Sequence, residues 1–331
     1  MVGKSPGFDQ CDVQANGFTF SCLLAGKVAG AGDVLLLHGF AGSSRGLRPL
    51  MGALAERGYR AAAFDQRGYS PRASPDSPAD YHYDALRDDV FAVADALGFG
   101  SFHLLGHDHG AALGWYTAGC DRGRKRLLSL TALCVPHLDA FSAGLFGESA
   151  DLQQQMASQY FNMFVRVDCR GSLLCDLMGR VAGFRSAAHL QKALWWYNGI
   201  FDAGALALPP ALCAGELFRG GFCIIAFMRW LTGGAPREGA PQKRAVGSLA
   251  LPVLYVHPRL DKMILGNRPF AQRTGELCTG RYRFLEVDCD HNNILGRAGV
   301  RKLAEAVLDH LGGAELEAGG AREPGAAKVA L

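Results

Sequence analysis

This chain of 331 residues lacks three things. Its ten cysteines form no C-x-x-C pair and no zinc-type spacing, which excludes a disulfide framework or a metal finger as the organising device. With Cys134 and Cys223 inside apolar runs, they read as reduced core residues of a cytoplasmic-type protein. It also lacks a large charge of one sign: 34 Lys and Arg face 31 Asp and Glu, a net of +3. No basic stripe interleaved with aromatics marks a nucleic-acid partner, and Arg122, Arg124, Lys125 and Arg126 read as a solvated helix end. Finally, it lacks a long apolar run. Phe222 to Met228 is too short to span a bilayer, and Met1 to Gln10 shows no signal-peptide pattern.

What is present is a hydrophobic fraction of 49%, enough to fold one sizeable α/β domain with an insertion, or two domains. Strand-like runs alternate with helical ones, as in a mostly parallel sheet covered on both faces. Val34 to Leu37, Tyr59 to Phe64, Phe102 to Leu105 and Leu128 to Val135 read as strands, with helices at 47–57, 84–97 and 111–118. From Pro136 to about Ser248 the alternation stops, and the segment becomes helical, aromatic and broken by glycine. It resumes with strands at 253–257 and 282–287 and helices at 268–277 and 299–311. The expected organisation is therefore an N-terminal extension (1–17), a core (18–135 and 249–312) interrupted by a helical lid (136–248), and a disordered tail (313–331) rich in Gly, Ala and charge.

The densest chemical signal is Gly106-His107-Asp108-His109-Gly110, between an apolar strand and a helix-forming run. Small residues two before and two after a raised side chain are what a sharp strand-to-helix elbow needs. The raised residue here is an acid. A carboxylate attacking an sp3 carbon leaves an ester that water can cleave, whereas a serine would leave an inert ether. Asp108 therefore points to alkylating substrates, and being ionised already it needs no base for its own attack.

Asp261 and His291 each stand just past a later strand, giving the chain order nucleophile, acid, histidine. With these residues the core resembles the α/β-hydrolase family, and within it the branch with an Asp nucleophile, which holds epoxide hydrolases and haloalkane and haloacetate dehalogenases. His38-Gly39-Phe40 resembles the oxyanion-loop motif of that family, and Phe64 to Ser70 (FDQRGYS) the segment after its next strand. The resemblance implies an oxyanion hole from the backbone N–H groups of Phe40 and His109. A metal site at His107-Asp108-His109 is not expected, because neighbours in a tight turn point in different directions and no further ligand cluster accompanies them.

Leaving-group chemistry divides the branch. Opening an epoxide creates a tethered alkoxide that needs an acidic hydroxyl, while displacing a halide needs only N–H donors. Ala193 to Gly199 (ALWWYNG) and Ser158 to Phe164 (SQYFNMF) are similar to the two tyrosine-bearing lid segments of epoxide hydrolases, which implies Tyr197 and Tyr160 as the phenols. Trp195, Trp196 and Phe161 are expected at the substrate. Two positions depart from the family: Ala41 follows Phe40 where proline is usual, and His109 replaces the tryptophan that commonly follows the nucleophile. The expected activity is conversion of a small apolar epoxide to a vicinal diol through an Asp108 ester, with no metal or organic cofactor. A dehalogenase acting on a halogenated substrate with the same triad, and a non-catalytic ligand-binding protein on the same fold, are the alternatives. The sequence does not fix the oligomeric state.

Overall fold

The computed structural model describes residues 7–27, 30–148, 150–158, 160–165, 167–199, 245–264 and 268–320. Eight strands form one sheet in the order β1-β2-β4-β3-β5-β6-β7-β8. They are β1 (Asp9–Ala15), β2 (Phe18–Ala25), β3 (Gly32–Leu37), β4 (Tyr59–Phe64), β5 (Phe102–His107), β6 (Leu127–Leu133), β7 (Val253–Pro258) and β8 (Tyr282–Val287). From β4 through β8 every pair is parallel, and β1 and β2 are antiparallel. The central strands are continuous apolar runs because both faces are covered. Alternate residues of β3 show it: Leu35 and Leu37 join one core cluster, Val34 and Leu36 the other.

The first cluster packs under α2 (Tyr83–Ala96) and α3 (His109–Gly119), and the second under α1 (Arg48–Glu56). α4 (Asp121–Arg126) carries the basic run, and Arg122 and Arg126 pair with Asp95. After the insertion come α10 (Arg268–Glu276) and α11 (Arg297–Gly320).

Two boundaries differ from expectation. The segment taken as an N-terminal extension contains β1, joined to β2 by Asn16-Gly17, both at positive φ (49° and 77°). That pairing is the sequence mark of a two-residue hairpin turn. β1 hid because it is an edge strand in which only Val13 and Ala15 are buried, so the apolar alternation is faint. At the other end, α11 runs on to Gly320 through residues expected to be disordered. Ala314 is buried, Glu315 meets Tyr59 Oη and His103 Nε2 (3.4 Å each), and Glu317 pairs with Arg281 at 2.7 Å. These contacts, not composition, order the helix, and a composition-based reading mistakes its small residues for a linker.

Between β6 and β7 lie α5 (Leu138–Phe146), α6 (Leu152–Ala157), α7 (Tyr160–Phe164), α8 (Leu173–Val181) and α9 (Ala187–Trp195), which ends in a 3-10 turn at Trp196–Gly199. Asp151, Ser172 and Ser186 cap α6, α8 and α9 by accepting from Gln154, Cys175 and His189 N–H. Phe222 to Met228 and Cys223 lie outside the described residues. The two ends of the insertion meet, because the Asp139 carboxylate accepts from the N–H groups of Val246 and Gly247 (3.2 and 2.8 Å). The sheet therefore continues from β6 to β7 undisturbed. On its far side the insertion is pinned to the loop after β4: Trp196 Nε1 donates to Arg67 O (3.0 Å), Lys192 Nζ to Ser74 O (2.7 Å) and Arg185 to Tyr69 O (3.0 Å). That loop is itself held by a buried ion pair, Arg67 to Asp89 at 2.6 and 2.7 Å, with Asn16 donating to the same carboxylate. Among the described residues no helix is long and apolar enough to cross a membrane.

Candidate active site

Asp108 stands between the last residue of β5 and the first of α3 at φ 53°, ψ −120°, a conformation that costs a non-glycine residue about 1–3 kcal/mol. The flanking glycines are required by contact. A Cβ at Gly106 would sit 2.1 Å from Gly110 O, and one at Gly110 would sit 2.3 Å from Leu37 O. A Cβ at Gly39 would meet the Asp108 carboxylate at 2.6 Å. The elbow thus holds its shape through three glycines: Gly106 in β5, Gly110 in α3 and Gly39 in the loop after β3.

The carboxylate is held at both oxygens. Phe40 N–H donates to Oδ1 at 2.7 Å, and His291 Nε2 donates to Oδ2 at 3.1 Å. On the other ring edge, His291 Nδ1 donates to Asp261 Oδ2 at 2.6 Å, while Asp261 Oδ1 accepts from the N–H groups of Met263 and Ile264 (2.8 and 3.1 Å). Sequence reading put these three side chains together, and the structure brings them into one line. All three are buried. Burial alone pushes the Asp108 carboxyl up, but the hydrogen bond from His291 and the charge of that imidazole override it and hold it well below the usual carboxylate range. Burial likewise disfavours a charged His291, yet its hydrogen bonds to Asp108 and Asp261 raise it above its ordinary value. The Cys134 thiol, which burial pushes up to about 11, is uncharged near neutral pH and adds no attraction there.

Some supporting residues escaped the sequence reading. His107 Nε2–H donates to the His291 carbonyl at 3.0 Å, and burial keeps this imidazole neutral by pushing it down to about 4. Cys134, at φ 75°, places its sulfur 3.7 Å from the same carbonyl. His38 is neutral too: Nε2 accepts from Gln66 N–H (3.1 Å), so Nδ1–H donates to Gly39 O (2.9 Å). Gln66 returns a bond to His38 O at 2.7 Å, which ties the loop carrying Phe40 to the end of β4. Among the described residues, one His and Cys cluster has metal-ligand proximity: His107, Cys134 and His291, within 4.8 Å. His107 Nε2 is bonded to His291 O, both nitrogens of His291 are engaged by the carboxylates, and the thiol is protonated, so the set does not fit a resident cation.

The insertion closes over the carboxylate. Tyr160, Phe161, Leu138 and Ile264 line a cavity together with Asp108 and His109. The Tyr197 ring lies 4.1 Å from His109 and 6.2 Å from Tyr160. Burial raises both phenols far above their ordinary values, and the Asp108 charge adds to this, so both remain protonated. Phe161 is part of this cavity's lining, but the two tryptophans are not. Trp196 spends its N–H on Arg67 O, and Trp195 packs 5.3 Å from the Tyr81 ring. Three consecutive residues at a helix end point in three directions, and here Tyr197 faces His109 and the rings around it.

With the geometry in view, comparison with known proteins is informative. The curated AB hydrolase superfamily protein YfhM of Bacillus subtilis (strain 168) is 34% identical over 125 residues, 38% of this chain and 43% of that protein. Human Epoxide hydrolase 4 is 29% identical over 152 residues, 46% of this chain and 40% of that protein. The matches thus span about two-fifths of the length of these relatives. Among solved structures, Epoxide Hydrolase A from Mycobacterium thermoresistibile aligns with a TM-score of 0.60 at 18% identity, over 92% of this chain and 98% of that one. An epoxide hydrolase from metagenomes of hot environments aligns with 0.66 at 23%, over 93% and 98%. Such likenesses carry the fold. The family model described as the alpha/beta hydrolase fold matches residues 33–298, and the chain belongs to that family.

Proposed function

We propose that the protein is an epoxide hydrolase, with residues 136–248 acting as the lid. The observation that carries this reading is the carboxylate nucleophile, paired with a His–Asp dyad, facing a cavity wall that bears a protonated tyrosine. Asp108 Oδ attacks an oxirane carbon, the C–O bond breaks, and Tyr160 and Tyr197 donate to the oxygen as it becomes an alkoxide. The product of this step is a hydroxyalkyl ester of Asp108. A phenol passes its proton to the alkoxide; the ester is neutral, so His291 loses one of the two carboxylates that kept it charged and releases its own proton, which restores the phenol and leaves the imidazole a neutral base. It takes a proton from water, and the hydroxide attacks the ester carbonyl. Phe40 N–H and the backbone N–H of His109 hold the oxyanion, and collapse releases the diol and restores Asp108.

Several curated relatives bear the name epoxide hydrolase, which agrees with this reading. The dehalogenase alternative asks for N–H donors around a halide. The Trp196 N–H is already committed to Arg67 O, and the insertion offers phenols beside the carboxylate instead. The test is product analysis on terminal epoxides and matched haloalkanes. The reading expects diol from the epoxides, no halide release, and no diol from Asp108→Ala. Halide release without diol would assign the dehalogenase, and undiminished diol from the alanine variant would overturn the mechanism.

A further inference from the structure

His38 and His109 both lie beside Asp108, and their polar atoms are treated differently. His38 has both ring nitrogens hydrogen-bonded. His109 is 4% exposed, and neither of its ring nitrogens has a partner. Burial pushes it down to about 4, so it is neutral, with one N–H and one lone pair unsatisfied. An unpaired buried polar atom is a standing cost that protein interiors rarely leave uncompensated. The ring is boxed by Tyr197, Trp196 and Phe40, with centroids at 4.1, 5.8 and 6.3 Å, none of which supplies a hydrogen bond to it. It lines the same cavity as the nucleophile and Tyr160.

We propose that His109 holds a hydroxyl carried by the substrate on the carbon next to the oxirane, so that the protein's preferred substrates are 2,3-epoxy alcohols. The inference rests on the epoxide reading above. The shared cavity sets the position: Asp108 and His109 both line it, so a group held by one lies near the carbon attacked by the other. The functional group follows from the ring. A hydroxyl both donates and accepts, so it can satisfy either unpaired nitrogen, whereas a hydrocarbon leaves both unpaired. The phenols remain free for the oxirane oxygen. A site built to bond a hydroxyl discriminates strongly against the analogue that lacks it.

The test compares a 2,3-epoxyalkan-1-ol with the 1,2-epoxyalkane of equal chain length. In the unmodified protein kcat/KM favours the alcohol. His109→Phe lowers that preference at least tenfold, and His109→Gln, which keeps a donor and an acceptor, restores part of it. A preference unchanged within twofold in His109→Phe overturns the proposal. A second readout does not depend on turnover: in Asp108→Asn protein, the imidazole nitrogen resonances of His109 shift on titration with the epoxy alcohol and stay put with the epoxyalkane. If neither epoxide is hydrolysed or alkylates Asp108, the epoxide reading fails while this titration still judges His109. Equal shifts with both compounds, or none with either, overturn the role of the imidazole.

Discussion

The two walls of the site are built by different physics. On the sheet wall, every reacting atom is fixed by hydrogen bonds from strand ends: Phe40 N–H to Asp108, Met263 and Ile264 N–H to Asp261, and His107 to the carbonyl of His291. On the insertion wall, the phenols are set among rings. Tyr197 has Phe164 at 4.9 Å, Phe40 at 5.4 Å and Phe161 at 5.4 Å, and Tyr160 stacks on Phe161 at 4.4 Å. Directional bonds fix a distance, whereas ring packing fixes a volume and tolerates small shifts. The division suits the proposed chemistry. Attack and hydrolysis need fixed in-line geometry, while the wall that meets the leaving oxygen must fit whatever substrate arrives.

The largest expected effect removes the sheet wall's reacting atom. Asp108→Ala lowers kcat by 10⁴-fold or more, on the order of 5 kcal/mol or above, and steady-state diol formation measures it. If that loss were matched by a single tyrosine substitution, the division between walls would be wrong. Next, Asp89→Ala leaves the buried Arg67 uncompensated beneath the loop on which the insertion docks, and chemical denaturation should show a loss of about 3–5 kcal/mol. Then Tyr160→Phe and Tyr197→Phe each lower the alkylation rate about 100-fold, roughly 2.7 kcal/mol, by single-turnover kinetics. The wall comparison sharpens if the double variant still hydrolyses a preformed ester intermediate at the normal rate, since the phenols serve only the first step.

The effect that vanishes at neutral pH, and so comes last, is on stability in acid. His107 is held down near 4 in the folded protein and rises to about 6.5 when unfolded, so the unfolded chain binds more protons between those values. Its contribution is therefore fully present above about pH 6.5 and is lost as pH falls toward 4, by about 1.4 kcal/mol per pH unit. His107→Gln keeps a donor for the His291 carbonyl and removes the titration. Thermal unfolding between pH 6.5 and 4 should show a flatter acid limb, and an unchanged slope would mean that this imidazole is not part of the sheet wall's support.

Legibility in the sequence followed the same division. Strand ends announce themselves through apolar runs that stop at a chemically distinctive residue, so the elbow, Asp261, His291 and the Phe40 loop could all be placed from the chain alone. What escaped depends on how backbone groups pair across the fold. The donation from His107 to His291 O spans 184 positions, and nothing in the neighbourhood of either residue signals it. Edge strand β1 has too few buried residues to show a period, although Asn16-Gly17 marked its turn. The end of α11 is disguised by its small residues, while Ala314 and the distant partners of Glu315 and Glu317 hold it. Trp195 and Trp196 were expected at the substrate, but successive residues at a helix end turn apart: Trp195 packs on Tyr81, while Trp196 spends its N–H on Arg67 O and meets the site only through His109, 5.8 Å away.

The central claim is that Asp108 becomes covalently alkylated and that His291 is needed only to release it. Intact-protein and peptide mass spectrometry of His291→Gln, incubated with a terminal epoxide, tests this most directly. The account predicts a stable adduct of the full epoxide mass on the peptide carrying Asp108, absent from the Asp108→Asn, His291→Gln double variant. Diol formation by His291→Gln at the unmodified rate with no adduct, or an adduct on another residue, would contradict it.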